Sequence, residues 1–260
     1  MSVEWTSEAK REAAFRAPIG RELHRPDTRV IEREGWYQII TPSARGYLNE
    51  VYVSQVDDAV AARVIDDVTA EYRALGIQTK WCVGHWTRPS DFRERLLRRG
   101  FEARAVRAMA CDTTLALDVP SGVTSSEVGV DDVDAYVAVE TRGWGIPEDQ
   151  IETERRSHRA AITSVPQTAH FFVAKVDGAI AGTCGIFLRD GFGYLVGSQV
   201  LADMRGRGIY RALVGVRLAF LRARGIRLAI THARDATSSP MLAHLGFETV
   251  YTYECFYAPL

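Results

Sequence analysis

The stretch VLADMRGRGIYRALV, residues 200–214, places two arginines and two glycines directly before an apolar run. Glycines allow consecutive backbone N–H groups to converge, and a helix N-terminus carries a partial positive charge. Arginines add charge-assisted hydrogen bonds to an anion. The stretch therefore predicts a pocket for a phosphate or pyrophosphate, with a basic surface turn as the simpler alternative. The apolar residues that predict the following helix are Ile209, Ala212, Leu213, Val216 and Phe220.

Two other glycine-rich loops do not match this stretch. A phosphate loop of the nucleotide hydrolases needs a Gly-Lys-Ser/Thr sequence, which does not follow here. In a dinucleotide fingerprint Gly206 and Gly208 fit, but Arg211 stands at the third small position. No acidic residue lies about 20 residues beyond Gly208, where such a site binds the ribose.

Composition excludes several classes of function. The chain has 260 residues, 47% hydrophobic and 25% charged, with a formal net charge of −1, so nothing favours nucleic acid or a membrane surface as a partner. No apolar run approaches the roughly 20 residues of a spanning helix. Residues 1–20 are charged throughout, which predicts a cytoplasmic protein without a secretory signal. No metal site is predicted, because Cys82 and His85 form only one short pair. The four cysteines are interpreted as buried thiols: Cys82, Cys111, Cys184 and Cys255.

The C-terminal half has the more legible pattern of elements. Residues 131–143 and 148–162 are predicted helices, and Asp177-Gly178 is a strong hairpin signal between two strands. A third strand precedes the arginine-glycine loop, and Gly225 ends the helix that follows it. The predicted order is helix-helix-strand-strand-strand-helix-strand-helix-strand.

The N-terminal half repeats part of this pattern. Residues 70–85 resemble residues 219–234 at a spacing of 149, and Gly100-Phe101-Glu102 precedes Gly246-Phe247-Glu248 by 146. Residues 52–56 (YVSQV) resemble residues 196–200 (VGSQV) at a spacing of 144. The missing residues correspond to the arginine-glycine loop, where VDDAVA stands instead. We therefore predict two copies of one fold, residues 1–119 and 124–260, joined by a linker at 120–126.

Residues 200–214 resemble motif A of the GNAT acyltransferases, a strand followed by R-x-x-G-x-G/A and an apolar helix. The resemblance implies an α+β fold with a mixed sheet in two tandem copies, the N-terminal one degenerate. It also implies acetyl-CoA as cosubstrate, with pyrophosphate on the loop and pantetheine along the preceding strand. Tyr210 departs from the motif, where glycine or alanine is usual. The implied cofactor-binding residues are Gln199, Val200, Leu201, Arg205, Gly206, Arg207, Gly208, Ile209 and Tyr210.

The catalytic residues usual in that family are not all present. Leu242 stands where many members have a tyrosine acid, and Tyr194 where others have a carboxylate base. We predict Tyr194 and Ser198 as catalytic candidates. Glu140, Glu152, Tyr251 and Tyr253 remain alternatives, each with an ordinary structural interpretation. Trp144, in the loop that borders the acceptor cleft in this family, is a candidate for substrate binding.

Two functions follow from the resemblance. The first is an N-acetyltransferase, of EC 2.3.1 type, that acetylates an amine of a small molecule or peptide. The second is a non-catalytic module that senses CoA or acyl-CoA, since the usual acid is missing at Leu242. The acceptor, the acyl-chain preference and the oligomeric state are not defined by the sequence.

Overall fold

A computed structural model describes residues 5–20, 27–42 and 49–259. The helices are α1 (Ser7–Arg16), α2 (Asp58–Ala74), α3 (Phe92–Arg98), α4 (Val133–Trp144), α5 (Ile151–Ile162), α6 (Ile209–Ala223) and α7 (Ser238–His244). The strands are β1 (Arg29–Arg33), β2 (Trp36–Ile40), β3 (Glu50–Tyr52), β4 (Lys80–Val83), β5 (Glu102–Asp112), β6 (Val123–Glu127), β7 (Ala169–Val176), β8 (Ala179–Arg189), β9 (Phe192–Val200), β10 (Leu228–Arg234) and β11 (Glu248–Tyr257).

The chain divides into two compact units, each made of three segments. The larger unit contains the described parts of Met1–Leu23, together with Ala108–His232 and Met241–Val250. The smaller unit contains the described parts of His24–Arg107, together with Ala233–Pro240 and Tyr251–Leu260. The division into copies 1–119 and 124–260 stays a prediction.

Each unit is built around a mixed sheet, so the predicted α+β fold class is confirmed. In the larger unit the strand order is β5-β10-β9-β8-β7-β6, with β9 and β10 parallel. The strand pairs β6–β7, β7–β8 and β8–β9 are antiparallel. In the smaller unit the order is β1-β2-β3-β4-β11, with β3 and β4 parallel.

Amphipathic helices cover these sheets. On α6 the predicted apolar positions are buried, except that Val216 is half-buried. The closeness of this packing is visible at Gly182 on β8, where an added methyl group would contact Ile209 and Leu213 of α6. Helix α2 fills the same place in the smaller unit, where Ile65 and Tyr72 belong to a buried core with Trp81. Burial of these apolar side chains is the main stabilising term.

The repeat inferred from the sequence is also a repeat of elements. Helices α3 and α7 have the same length and begin 146 residues apart, and α2 and α6 end 149 residues apart. The glycines after α2 and α6, Gly76 and Gly225, have φ angles of 69° and 72°. At the spacing of 144, Val53 (φ 58°) corresponds to Gly197 (φ 60°). The left-handed conformation is rare and strained for valine. Its presence at Val53, with nearly the same φ angle as at Gly197, therefore indicates that the two segments share a local backbone conformation.

The predicted order of the C-terminal half lacks one strand. Residues 123–126, interpreted as linker, belong to β6, which pairs with β7 from Val123↔Val176 to Glu127↔Phe172. The sequence VTSSE is short and polar, so it resembles a turn more than a strand. Pairing with β7 makes it the edge strand of the sheet, a position that tolerates polar residues.

Two local predictions are confirmed. The β7–β8 hairpin turns at Asp177 and Gly178, whose φ angles of 50° and 81° are those of a two-residue turn with both central residues left-handed. The four cysteines are buried and free.

Candidate cofactor and acceptor site

The first feature of the candidate site is a bulge near the end of β9. Gly185 pairs with Val196, and Thr183 pairs with Gln199. Between these two pairs β9 is three residues long and β8 only two, so β9 contains one extra residue. Gly197 supplies the left-handed angle that this bulge needs. The pairing of β9 with β10 runs from Leu228↔Phe192 to Thr231↔Leu195 and goes no further. Among the residues that the structure describes, no strand therefore lies beside this edge of β9, the one that faces away from β8, beyond Leu195.

Residues 196–200 along this edge are called here the outer edge of β9. The Leu201 amide donates to the Ala181 carbonyl at 2.9 Å, so Leu201 faces β8. Backbone groups of successive strand residues face opposite edges, so Gln199 also faces β8 while Val200 and Ser198 face outward. The outer edge therefore presents the backbone groups of Ser198 and Val200. Among the predicted amides, those of Gln199 and Leu201 point into the sheet.

The second feature is the start of α6. A 3-10 turn over Ala202–Met204 leads to the loop, and Gly208 (φ 74°) is the N-cap of the helix. Glycine offers no side-chain cap, and the first turn of α6 contains no acidic residue. The first N–H groups of a helix have no partner within the helix. The start of α6 therefore offers backbone donors and a positive dipole end to an anion.

The arginines of the loop face solvent. Arg205 and Arg207 are exposed, and Gly206 is left-handed with φ 80°. Gly208 is confined further, because an added methyl group would collide with the Pro120 ring. Only glycine meets both conditions at 208, the positive φ and the contact with Pro120.

Tyr210, the departure from the motif, is half-buried on α6. Burial raises the pKa of its phenol, the nearby Arg217 guanidinium lowers it, and the result lies above the usual value. The phenol is therefore neutral at pH 7. Its position on the helix is seven residues from Arg217, which places both side chains on one face of α6.

The Gln199 side chain of β9 packs against α4. The Gln199 side chain donates to the Val139 carbonyl at 3.2 Å and to the Thr183 hydroxyl at 3.1 Å. An added methyl group on Gly143 would collide with Gln199, so α4 approaches β9 closely at its last turn. Trp144 follows Gly143 directly and is half-buried. The predicted acceptor residue thus lies beside the end of β9.

A buried polar cluster also involves α4. Glu140 of α4 is 8% exposed and accepts a hydrogen bond from the Tyr136 hydroxyl at 3.1 Å. Nε2 of His158 lies 3.4 Å from the second Glu140 oxygen. Nδ1 of His158 is 2.8 Å from the Glu154 carbonyl, which can only accept, so Nδ1 carries a hydrogen. A proton must therefore lie on Nε2 or on Glu140 for the two groups to attract each other.

The solvated-helix interpretation of Glu140 is therefore wrong, whereas Glu152 is exposed as that interpretation requires. The sequence carried a signal for this cluster, because Tyr136 and Glu140 are four residues apart on the apolar face of α4. Two other groups were not singled out from the sequence. They are His158 and the buried Arg217.

The remaining predicted residues lie at different places. Tyr194 is half-buried, with its ring centroid 5.6 Å from that of His232. Ser198 is half-buried on the outer edge of β9. Leu242, at the position of the usual acid, is 2% exposed and belongs to the core. The structure does not bring Tyr194 and Leu242 into one described contact.

Within the described residues no three metal-ligating side chains cluster as a metal site would require. Nor does any described helix have the length and apolar character needed to cross a bilayer.

Comparison with known proteins shows which family part of the chain resembles. Residues 135–247 match the model of the acetyltransferase (GNAT) family. This segment contains the β9 bulge, the arginine-glycine loop and α6. The match spans less than half of the chain, and over it residues 135–247 are similar to the GNAT acetyltransferases. No curated protein matches the sequence significantly.

Solved structures share the fold over most of the chain. A GCN5-related N-acetyltransferase from Kribbella flavida has a TM-score of 0.64 at 15% identity, over 98% of this chain and 94% of that one. A GCN5-related N-acetyltransferase from Sphaerobacter thermophilus has a TM-score of 0.64 at 19% identity, over 86% and 76%. A tandem GNAT protein from the clavulanic acid biosynthesis pathway has a TM-score of 0.56 at 16% identity, over 90% and 83%. At these identities the likeness establishes the fold.

Proposed function

We propose that the protein is an acetyl-CoA-dependent N-acetyltransferase, of EC 2.3.1 type, acting on an amine of a small molecule or peptide. The observation that carries this proposal is the conjunction of two features. The start of α6 is capped by a glycine and has no acidic first turn. The outer edge of β9 runs toward it and, within the described part of the chain, has no strand beside it after Leu195. The helix start suits an anion, and the unpaired strand edge suits an extended chain that contains amide groups.

The cosubstrate fits them in one orientation. Its pyrophosphate would accept hydrogen bonds from backbone amides at 205–210, with Arg205 and Arg207 adding charge. Its pantetheine arm, which contains two amide groups, would pair with the Ser198 carbonyl and the Val200 amide. The smaller unit supports this pairing by analogy. There, at a spacing of 144, the Ser54 carbonyl and the Val56 amide bond to the backbone of Arg88 at 2.8 and 3.2 Å.

The reaction is a direct transfer. The lone pair of a neutral amine attacks the thioester carbonyl carbon, a C–N bond forms and the C–S bond breaks. The sulfur leaves as the thiolate of CoA and takes up a proton, while the amine nitrogen loses one. An outer-edge amide of β9 would polarise the carbonyl oxygen. Holding the reactants together supplies much of the rate by itself.

The Glu140–His158 pair is our proposed acceptor for the proton of the amine. Glu140 is buried, His158 lies beside it against Phe171 of β7, and α4 carries Trp144 at its end. A carboxylate or an imidazole can take a proton from an acceptor amine that reaches it directly or through water. Tyr194 and Ser198 remain proposed catalytic residues, with Ser198 placed on the outer edge where the sulfur would leave.

One observation favours the alternative of a CoA or acyl-CoA sensor. The position of the usual tyrosine acid is occupied by the buried Leu242, which has no proton to donate. A sensor would bind the cosubstrate and release no CoA.

The test is a calorimetric titration of the full chain with acetyl-CoA, followed by assay of free CoA across a panel of amines. We expect micromolar binding at one site per chain and CoA release with at least one amine. Binding without release from any amine would support the sensor. Absence of binding would contradict both functions and leave the loop as a basic turn.

A further inference from the structure

Arg217 is a cation buried without a carboxylate. It lies in the middle of α6 and is 2% exposed. Its Nε donates to the Leu213 carbonyl at 2.9 Å, and Nη1 lies 3.4 and 3.5 Å from the carbonyls of Gly185 and Val196. In the described residues Arg217 has no ion-pair partner. A buried charge with only carbonyl partners is costly unless an anion joins it.

The two titratable groups that feel the charge of Arg217, the Cys184 thiol and the Tyr210 phenol, supply no negative charge. Burial raises the pKa of the Cys184 thiol to about 11, although the Arg217 guanidinium acts in the opposite direction. The Tyr210 phenol has a raised pKa for the same reason. Both groups are therefore neutral at pH 7. The Cys184 thiol already donates to the Leu213 carbonyl at 3.7 Å, whereas the Tyr210 phenol is a hydrogen-bond donor that an anionic ligand near the guanidinium could use.

The position of Arg217 along α6 matches the end of the pantetheine arm, if the cosubstrate binds as proposed above. Arg217 lies eight residues after Ile209, a helical rise of about 12 Å from the phosphate end. Val196, whose carbonyl it contacts, lies five residues before Leu201, which is about 16 Å along an extended strand and less across the bulge. The pantetheine arm is about as long as four extended residues, about 14 Å. The thioester would therefore lie level with Arg217.

We infer that Arg217 binds the terminal carboxylate of the acyl group, so that the preferred donor is an acyl-CoA whose short acyl chain ends in a carboxylate. This inference rests on the proposed function, because it takes the pyrophosphate to lie at the start of α6. A carboxylate at this depth pairs with the guanidinium and leaves the thioester carbonyl at the bulge. Transfer proceeds as written above, and the carboxylate takes no part in bond making.

The test compares four ligands by calorimetry on the full chain: free CoA, acetyl-CoA, succinyl-CoA and glutaryl-CoA. We expect at least one of the two carboxylated thioesters to bind at least tenfold more tightly than acetyl-CoA, which is about 1.4 kcal/mol. If free CoA binds but neither carboxylated thioester has this advantage, the inference is overturned and the proposed function stands. If free CoA does not bind, both are overturned.

Variants then assign the advantage to Arg217. In Arg217→Met the ratio of carboxylated to acetyl affinities should fall to about one, and an apolar replacement of a buried charge often leaves a protein folded. Arg224→Met, which removes an exposed arginine at the end of α6, should keep the wild-type ratio. An unchanged ratio in Arg217→Met would overturn the inference. Should that variant not fold, Arg217→Lys provides the same readout with the charge retained, and the ratio is expected to fall because lysine lacks the bidentate geometry.

Discussion

Helices α2 and α6 occupy corresponding positions in the repeat, but their N-termini are capped differently. In α2 the Asp57 carboxylate accepts from the Ala59 amide at 2.9 Å, and Asp58 of the first turn pairs with Arg95. In α6 the cap is Gly208, with no side-chain bond and no acid in the first turn. At α2, carboxylates of the chain itself therefore compensate the positive end of the helix dipole. At α6 no side chain of the cap or first turn does so, and an anionic ligand could take that place.

The strands that precede these helices differ in the same way. After β3 the segment 54–56 is paired with the backbone of Arg88, and the Gln55 amide donates to the Gly35 carbonyl at 2.6 Å. No described segment pairs with the outer edge of β9 in this way. The left-handed backbone at Val53 and Gly197 is common to both strands. The same local backbone thus has its edge occupied by Arg88 after β3, whereas the outer edge of β9 is a candidate binding edge.

The largest expected effect is on the loop itself. The double variant Arg205→Glu/Arg207→Glu should weaken acetyl-CoA binding at least a hundredfold, about 2.7 kcal/mol, because two cations beside the pyrophosphate become anions. Arg207→Glu alone should cost at least tenfold. Calorimetric titration gives both affinities, and thermal unfolding should be little changed because both side chains are exposed.

The matched control makes the same charge change on α2. Arg63→Glu/Arg73→Glu alters two exposed arginines of the other copy and should leave the affinity unchanged. Equal losses in the two double variants would mean that only net charge matters, and the contrast between α2 and α6 would be lost.

The shared bulge allows an exchange of residues. Gly197→Val should destabilise the protein by about 1–2 kcal/mol, because a β-branched residue must adopt φ near 60° while no atom lies within 4 Å of the added Cβ. Val53→Gly should relieve the same strain and stabilise by less than about 1 kcal/mol, since glycine also raises the entropy of the unfolded chain. Urea unfolding measures both. A Val53→Gly variant as unstable as Gly197→Val would show that Val53 is not strained.

The cap of α2 gives a smaller effect. Asp57→Ala should lower the free energy of unfolding by about 1 kcal/mol, because the Ala59 amide loses its acceptor. Acetyl-CoA affinity should not change. Asp67→Ala, an exposed position within α2, is the control and should not destabilise. A loss of affinity in Asp57→Ala would mean that α2 takes part in binding.

The smallest effect concerns the strands that close each copy. Partial burial of Asp112, at the end of β5, disfavours its charge, but hydrogen bonds from Thr114 and Arg227 outweigh this and lower its pKa from 3.8 to about 2. A carboxyl whose pKa is lower when folded stabilises above about pH 4 and loses that contribution as the pH falls toward 2.

At the corresponding position of the second copy, 146 residues later, stands Ala258. Because the lowered pKa of Asp112 makes its contribution pH-dependent, Asp112→Asn should make the fall of the melting temperature between pH 4 and pH 2 less steep. The variant should also have a slightly lower melting temperature at pH 7. A decline as steep as that of the wild type would mean that other carboxyls account for the acid sensitivity.

Much of the fold was predictable from local sequence. The Asp177-Gly178 hairpin, the apolar face of α6 and the repeat spacings follow from turn chemistry and periodicity, which act between near neighbours. Strand β6 was missed because its residues Val123–Glu127 become a strand only by pairing with β7. The candidate site divides in the same way. Its glycines and arginines are contiguous in the chain, whereas Glu140, His158 and Arg217 acquire their character from burial.

The sequence by itself predicted an anion-binding helix start at residues 205–210, and it placed Asp57 and Asp58 at the counterpart, residues 56–61. This follows because capping and charge are set by residues within one turn of the helix. The tertiary structure alone decided which groups lose their water. Glu140 was predicted as a helix-surface carboxylate, but it is buried, and α5 brings the His158 imidazole to 3.4 Å from it. Arg217 becomes a buried cation because β8 and β9 cover its guanidinium, and burial of a charge depends on residues far apart in the chain.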